Sequence, residues 1–255
     1  MQTIALAGQK GGIGKTTVAI NIAGALNERG VDVLLVDLDP QGNATEGLGH
    51  NEAYTADGST LFDVLVDGTP LDDVLVEHDE LTLAPAHIDM LVVEKELTLA
   101  KRAYERVERA LEDHAETARH DVAILDCPPS LGILSDSALL AADDLVIPAL
   151  AESTSKRAIE LLFDYQIDDI EEQYGRVAET RAVVANRIDT DGEAEAMVEW
   201  LHDAFEPAVP VFEIRKRVAI KRAWSAGGSI FAKEPECDMT GVFDRLATEV
   251  CEVAR

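Results

Sequence analysis

A glycine-rich segment near the start of the chain has the residue types and spacing that bind a nucleoside triphosphate. The segment reads Lys10-Gly11-Gly12-Ile13-Gly14-Lys15-Thr16-Thr17. Glycines let backbone N–H groups turn inward as an anion cradle, and a helix that follows directs its positive end at the phosphates. Lys15 then reaches the β- and γ-phosphates, and the Thr16 hydroxyl binds Mg²⁺. The order along the chain is an apolar run, the loop, the Lys-Thr pair and then a helical pattern. This order predicts a P-loop for MgATP rather than a chance glycine-rich turn.

Aspartates end two later apolar runs. Asp37 and Asp39 follow the run at 33–36, and Asp126 ends the run at 122–125. We expect Asp39 to position the attacking water and Asp37 to hold a metal-bound water. An apolar strand that ends in Asp is the Walker B arrangement, so Asp126 is predicted to act on Mg²⁺. The alternative for the first pair is a polar turn without a catalytic role.

Basic residues concentrate in one short segment of the C-terminal third. Five of the 22 Lys and Arg residues fall within eight positions: Arg215, Lys216, Arg217, Lys221 and Arg222. Such a cluster in an acidic chain indicates binding to a phosphate backbone. The alternative is that these side chains pair with surrounding carboxylates.

The pattern of apolar runs shows which elements position these residues. Buried strands are predicted at 2–7, 31–37, 121–126, 144–148 and 181–186, with shorter ones at 81–83 and 209–212. Helical patterns separate them, at 16–29, 89–120, 155–173, 193–205 and 241–254. Continuous apolar runs that alternate with helices predict an α/β fold, a mostly parallel twisted sheet with helices on both faces. The candidate residues follow strands, where ligands bind in such sheets.

Length and composition limit the remaining classes. The 255 residues suit a single domain over 1–255, and the early P-loop leaves no room for an N-terminal helix-turn-helix domain. No apolar run reaches the ~18 residues of a membrane helix. Three cysteines without a C-x-x-C pair argue against a zinc site. The net charge of −27, with eight Lys against fourteen Arg, favours a halophilic cytoplasm over an ordinary acidic protein.

The motifs together resemble the ParA/MinD superfamily, on the ParA side. Gln9 stands where the common P-loop has its first glycine, and Lys10 precedes the paired glycines, as in the deviant Walker A loop of that superfamily. The segment from Asp37 to Thr45 is similar to the ParA form. The resemblance implies that Lys10 reaches the ATP of a second protomer in a nucleotide-sandwich homodimer and takes part in catalysis with Lys15 and Asp39.

The resemblance extends to the C-terminal half. Asn186-Arg187 is similar to the adenine-binding position of the family, and Pro210 is expected on the same pocket wall. The segment that holds Arg217 resembles part of the ParA surface for non-specific DNA. It departs from the common form at Ala219, where many ParA proteins have arginine.

The expected function is a slow cytoplasmic ATPase for plasmid or chromosome partitioning. The resemblance implies an ATP-dependent dimer that holds duplex DNA, associates with the nucleoid and releases on hydrolysis stimulated by a ParB-like protein. One alternative is the positioning of a protein assembly. Membrane placement of the MinD type is disfavoured, because acidic residues dominate the polar side of the last helix. A metabolic ligase or a reductase is an alternative of another class.

Overall fold

The strands form one sheet. The computed structural model describes residues 1–115 and 120–254, and in these the strand order is β3-β4-β2-β5-β1-β6-β7-β8. The strands are β1 (Gln2–Leu6), β2 (Val33–Asp37), β3 (Val76–His78), β4 (Leu81–Ala84), β5 (Val122–Asp126), β6 (Asp144–Leu150), β7 (Glu179–Ile188) and β8 (Val211–Arg215). All neighbours pair in parallel except β3 with β4. The predicted fold class is confirmed.

Helices cover both faces of this sheet. They are α1 (Lys15–Glu28), α2 (Asn43–Gly47), α3 (Leu61–Asp67), α4 (Val93–Leu99), α5 (Arg106–Ala115), α6 (Ile133–Ala141), α7 (Ser155–Leu162), α8 (Asp168–Tyr174), α9 (Gly192–Phe205), α10 (Val218–Ser225), α11 (Ile230–Lys233) and α12 (Thr240–Val250). Short 3₁₀ helices lie at Asn51–Thr55, Leu71–Val74, Ile88–Val92 and Ala103–Glu105. Capping residues fix where several helices begin. At the start of α9, for example, the side chain of Asp191 accepts a hydrogen bond from the Ala194 N–H.

The sheet divides the apolar core into two layers, because side chains alternate between its faces. Ile4 and Leu6 of β1 belong to one layer with α1 and α12. Ala5 of the same strand belongs to the other layer, together with α4, α5, α6 and α7. The P-loop helix and the helix after Asp126 therefore pack on opposite faces of the sheet.

Several boundaries differ from the sequence predictions. The short antiparallel strand β3 was not expected, because three residues at a sheet edge, none of them fully buried, leave little pattern. The helical prediction over 89–120 resolves into a 3₁₀ turn, α4, another 3₁₀ turn and α5, and its residues 116–119 lie outside the described part. A π-helix, Phe163–Ile167, separates α7 from α8.

The last helix, α12, packs into the core. Its buried face includes Phe243, Leu246 and Val250, which join the layer that holds α1. In the described residues we find no helix with the length and apolar character that crossing a bilayer requires.

Candidate nucleotide site

The P-loop runs from β1 into α1 through left-handed glycines. Gly12 has a φ of 75° and Gly14 a φ of 90°, and α1 begins at Lys15. Residues with a Cβ rarely adopt this conformation. A Cβ on Gly14 would also lie 2.1 Å from the side-chain nitrogen of Asn186. Glycine is therefore required at position 14 for both its backbone and its close neighbour.

Asn186 at the end of β7 fastens the loop. Its Nδ2 donates to the Ile13 carbonyl at 2.7 Å, and its Oδ1 accepts from the Arg187 N–H at 2.9 Å. Arg187 has a φ of 55°, and its guanidinium donates to the Gly12 carbonyl at 3.4 Å. The Asn186 amide retains a second N–H and a second lone pair. Its contact with an adenine edge stays a prediction, while its role in holding the loop is visible.

A cavity of about 490 Å³ opens above the loop at the carboxyl ends of the strands. Its walls come from segments that are distant in sequence. They are Gly11, Gly12, Gly14, Lys15, Thr16 and Thr17 of the P-loop region, Asp39, Gln41 and Asn43, Pro129, Asn186 and Arg187, and Arg215, Lys216, Arg217, Ile220, Lys221 and Trp224. The fold thus brings most of the predicted nucleotide residues and four of the five clustered basic residues to one cavity.

Two aspartates meet beside this cavity without lining it. Asp37 and Asp126 are directly paired across β2 and β5, and both are fully buried. Thr45 donates to Asp37 Oδ2 from its backbone N–H at 2.8 Å and from its hydroxyl at 2.7 Å. Within the described residues, Asp37 Oδ1 and both carboxylate oxygens of Asp126 have no hydrogen-bond partner.

Burial dominates the ionisation of these carboxyl groups. It raises the pKa of Asp37 to about 7, although the hydrogen bonds from Thr45 oppose the rise. Burial, with the nearby Asp37, also raises the pKa of Asp126 well above its usual range, and the Lys15 ammonium offsets this in part. Two buried carboxyl groups with unused oxygens are costly unless a cation approaches them. Their oxygens, with the Thr16 hydroxyl, are the donor set that Mg²⁺ prefers.

Lys15 and Asp39 contribute the other charges near the phosphate cradle. Lys15 is 6% exposed, and its ammonium donates to the Gly8 carbonyl at 3.3 Å. Burial lowers the pKa of Lys15, while Asp126 and Asp39 oppose this effect. Asp39 lines the cavity, and its Oδ1 accepts from the Gln41 N–H at 2.9 Å. One carboxylate therefore faces the cavity while Asp37 and Asp126 are enclosed.

The second lysine of the loop, Lys10, does not line the cavity. Its ammonium donates to Glu152 Oε2 and to the Thr154 hydroxyl, both at 2.9 Å. These partners follow β6, and the Lys10 side chain remains about one-third exposed. An exposed ion pair of this kind stabilises by about 1 kcal/mol or less. Lys10 is therefore held within its own chain by a contact that costs little to break.

The basic cluster divides into paired and unpaired members. Lys216 contacts Asp189 at 2.8 Å, and Arg217 donates three hydrogen bonds to Asp238 at 2.6–3.0 Å. Arg222 is exposed on α10, outside the cavity lining, and forms no ion pair with the described residues. The carboxylate-pairing alternative therefore applies to two of the five residues.

The prediction for Pro210 is wrong. Pro210 precedes β8, and its carbonyl accepts from the Val183 N–H, whereas Asn186 pairs with Ile214 near the other end of that strand. At about 3.3 Å per residue, Pro210 lies more than about 10 Å from the carboxyl end of β8. The expectation came from the family resemblance, and Pro210 was predicted inside a strand at 209–212, whereas the strand begins one residue after it.

Sequence reasoning also missed residues that belong to the site. Ile220 and Trp224 form an apolar part of the cavity wall, and their spacing of four on α10 was an available signal. Trp224 also packs against Gly47 of α2, where a Cβ would lie 2.8 Å from two ring atoms. The Lys10 partners, Glu152 and Thr154, could have been found only from a weaker signal. They lie shortly after a predicted strand, where site residues are expected.

Comparison with known proteins agrees with this geometry. The sequence profile of a family described as AAA domain matches residues 1–178. The sporulation initiation inhibitor protein Soj of Bacillus subtilis is 34% identical over 97% of both chains. The chromosome partitioning protein ParA of Caulobacter vibrioides is 32% identical over 98% of this chain and 94% of its own. The chain belongs to the ParA/Soj family of P-loop ATPases. This family includes partitioning proteins and positioning proteins, such as the cell division protein PomZ of Myxococcus xanthus, at 35% identity over 96% of this chain and 77% of its own.

Solved structures support the same fold for this ParA/Soj-type chain. A complex of a Cyanothece McdA variant with ATP superimposes with a TM-score of 0.85 at 21% identity, over 98% of this chain and 96% of the other. A structure described as cobyrinic acid a,c-diamide synthase from Mycobacterium smegmatis, with bound ADP and magnesium, has a TM-score of 0.79 at 29% identity over 97% of this chain and 93% of its own. Nucleotide and Mg²⁺ thus occur in proteins of this architecture.

Proposed function

We propose that this chain is a cytoplasmic, single-domain partition ATPase that binds MgATP, dimerises and holds duplex DNA without sequence preference. One observation supports the link between nucleotide and DNA. The P-loop and the basic segment from Arg215 to Lys221 line the same cavity. A nucleotide in that cavity contacts the basic segment directly. Binding or loss of the nucleotide can therefore change the conformation of the basic side chains that bind DNA.

The residues of the chain have distinct parts in this proposal. Lys15 and the backbone N–H groups of the P-loop bind the phosphates, and Asp39 orients the attacking water from the cavity wall. Thr16, Asp37 and Asp126 hold Mg²⁺, which neutralises charge on the phosphates when bound. Lys10 leaves Glu152 and approaches the nucleotide of a second protomer, where its charge offsets phosphate repulsion.

Hydrolysis then ends the DNA-bound state. Turnover is slow in the isolated protein, and a ParB-like partner accelerates it, so that the ATPase acts as a timer. DNA binding places the ATP form on the nucleoid. The net charge of −27 fits a cell interior of high salt, where counter-ions screen self-repulsion. Since salt also weakens phosphate contacts, two basic surfaces in one dimer supply the avidity for DNA.

The test is DNA binding by the Asp39→Ala variant, which is expected to bind ATP but hydrolyse it slowly. Binding to a mixed-sequence duplex is measured with ATP, ADP or no nucleotide, at about 0.1 M and about 2 M KCl to vary screening. Binding with ATP alone is the expected result. The matched control, Asp39→Ala with Lys15→Ala, removes the main phosphate charge and should not bind in any state. Dimerisation without DNA binding would refute the DNA role and favour positioning of a protein assembly.

A further inference from the structure

A buried glutamine connects the segment before Lys10 with the start of helix α6. Gln166 is 2% exposed. Gln9 Nε2 donates to Gln166 Oε1 at 2.7 Å. Gln166 Nε2 donates to the Ser135 hydroxyl at 2.9 Å and to Asp136 Oδ1 at 2.7 Å. One side chain thus spans the P-loop segment and the first turn of α6.

The orientation of this amide is fixed by its partners. Its oxygen faces an N–H donor of Gln9, and its nitrogen faces a hydroxyl and a carboxylate. A flipped amide would place an N–H against the Gln9 donor and an oxygen against the carboxylate of Asp136. Burial raises the pKa of Asp136, and the hydrogen bond from Gln166 opposes that rise. The three hydrogen bonds therefore support one another in a single arrangement.

The backbone at Gln166 departs from regular α-helical geometry. It belongs to the π-helix Phe163–Ile167, between α7 and α8. A π-helix inserts an extra residue into a helical turn and occurs frequently at functional sites. Here Gln166 and Ile167 are both buried, whereas Asp164 and Tyr165 are exposed. The extra residue places the polar side chain of Gln166 in the interior. The buried face of a regular α-helix would favour an apolar side chain at such a position.

The two ends of this connection lie next to segments that the proposed mechanism uses. Gln9 is bonded directly to Lys10, which must leave Glu152 to reach a second protomer. Ser135 and Asp136 lie in the first turn of α6, which follows the 127–132 loop, and that loop contributes Pro129 to the cavity wall. Neither end includes Lys15 or Thr16, which lie on α1 in the other core layer. Loss of the connection should therefore alter geometry for turnover more than affinity for ATP.

We propose that Gln166 is a positioning residue for ATP hydrolysis, which sets the distance between the Lys10 segment and helix α6. The role rests on the proposed hydrolysis at this site, and it is independent of DNA. Gln166 acts through Gln9 on one side and through Ser135 and Asp136 on the other.

The test compares three leucine variants. Gln166→Leu and Gln9→Leu each break the connection, and Gln173→Leu is the matched control, because Gln173 is exposed on α8. ATP affinity is measured by displacement of a fluorescent nucleotide, and turnover by single-turnover hydrolysis with enzyme in excess. Since small misplacement of reacting groups costs rate steeply, we expect turnover to fall about tenfold or more in both test variants. The Kd for ATP should stay within about twofold, as should both quantities in the control.

The double variant Gln9→Leu/Gln166→Leu separates positioning from general damage. If both residues act through one connection, the double variant should be no slower than the worse single variant. Additive losses, a parallel loss of ATP affinity, or unchanged turnover would each overturn the role. If Gln166→Leu does not fold, Gln9→Leu at its partly exposed position decides the question. A wild-type protein without turnover would refute the proposed hydrolysis itself, a result distinct from unchanged variants.

Discussion

The division of the basic cluster leads to a quantitative expectation for DNA binding. Arg222 is exposed on α10 and has no ion pair in the described residues, whereas Arg217 is held by Asp238 through three hydrogen bonds. An unpaired side chain is available to a phosphate at once. A paired one must first give up its carboxylate, which then stands beside the DNA as a like charge. Arg222→Ala should therefore weaken DNA binding more than Arg217→Ala.

The magnitude follows from counter-ion release. Each phosphate contact contributes about 0.9 to the slope of log K against log salt. A dimer presents Arg222 twice, so Arg222→Ala should reduce the slope by about 1.8, and Arg217→Ala should reduce it by much less. The converse variant, Asp238→Asn, frees Arg217 and should steepen the slope by up to the same amount.

The assay is fluorescence anisotropy of a labelled mixed-sequence duplex over a KCl series, with ATP, in the Asp39→Ala background. Because Arg222 does not line the cavity, Arg222→Ala should keep wild-type ATP affinity, which serves as the internal control. Equal slopes for Arg222→Ala and Arg217→Ala would refute the distinction between paired and unpaired residues. An unchanged slope in Asp238→Asn would show that this carboxylate does not restrain Arg217.

Other properties of the site give further expectations. Lys15→Ala should weaken ATP binding by about 100-fold or more, because it removes the main phosphate charge; titration calorimetry checks this. Asp37 keeps its proton to about pH 7 when folded and to about pH 4 when unfolded. Its contribution should therefore lower the free energy of unfolding of the metal-free protein as the pH rises between these values, by up to about 1.4 kcal/mol per pH unit. Asp126 adds a loss of the same sign, so Asp37→Asn should make the fall with rising pH shallower without abolishing it, as measured by urea unfolding in chelator. Gly47→Ala places a Cβ 2.8 Å from the Trp224 ring and should cost about 1–3 kcal/mol, whereas Gly192→Ala meets open space and should not destabilise; thermal unfolding of the two variants checks this.

The sequence was sufficient for the parts of the site that depend on consecutive residues. The P-loop needs glycine at fixed positions before Lys15, and an apolar strand that ends in Asp126 needs no distant partner to be recognised. Parallel strands place their carboxyl ends at one edge, so the sequence predicted Asp37 and Asp126 at the same edge. Their direct pairing depends on the strand order, which was not predicted from the sequence. The P-loop conformation is local and the common edge is fixed by topology, which is why both could be predicted from the sequence.

The remaining features depend on side-chain contacts across the fold. Lys10 was expected to face a partner nucleotide, yet its contact with Glu152 joins residues 142 positions apart and leaves no local pattern. Pro210 was assigned by resemblance to the family, and the start of β8 just after it is fixed by pairing with β7, which the local sequence does not show. Gln166 of the π-helix hydrogen-bonds to Gln9, 157 positions away, and to Ser135, 31 positions away, and such contacts leave no local pattern.

The separation of the core into two layers has a consequence for hydrogen exchange. Amides of α1 are protected by one set of side chains and those of α6 by another, with the sheet between them. Each layer can open without the other, so their protection factors need not agree in the free protein. The cavity is lined by Lys15 at the start of α1 and by Pro129 in the loop before α6. A nucleotide that contacts both adds the same free energy, RT ln(1 + [L]/Kd), to the opening of either layer. Since opening both layers loses the ligand only once, ligand binding couples the opening of one layer to that of the other.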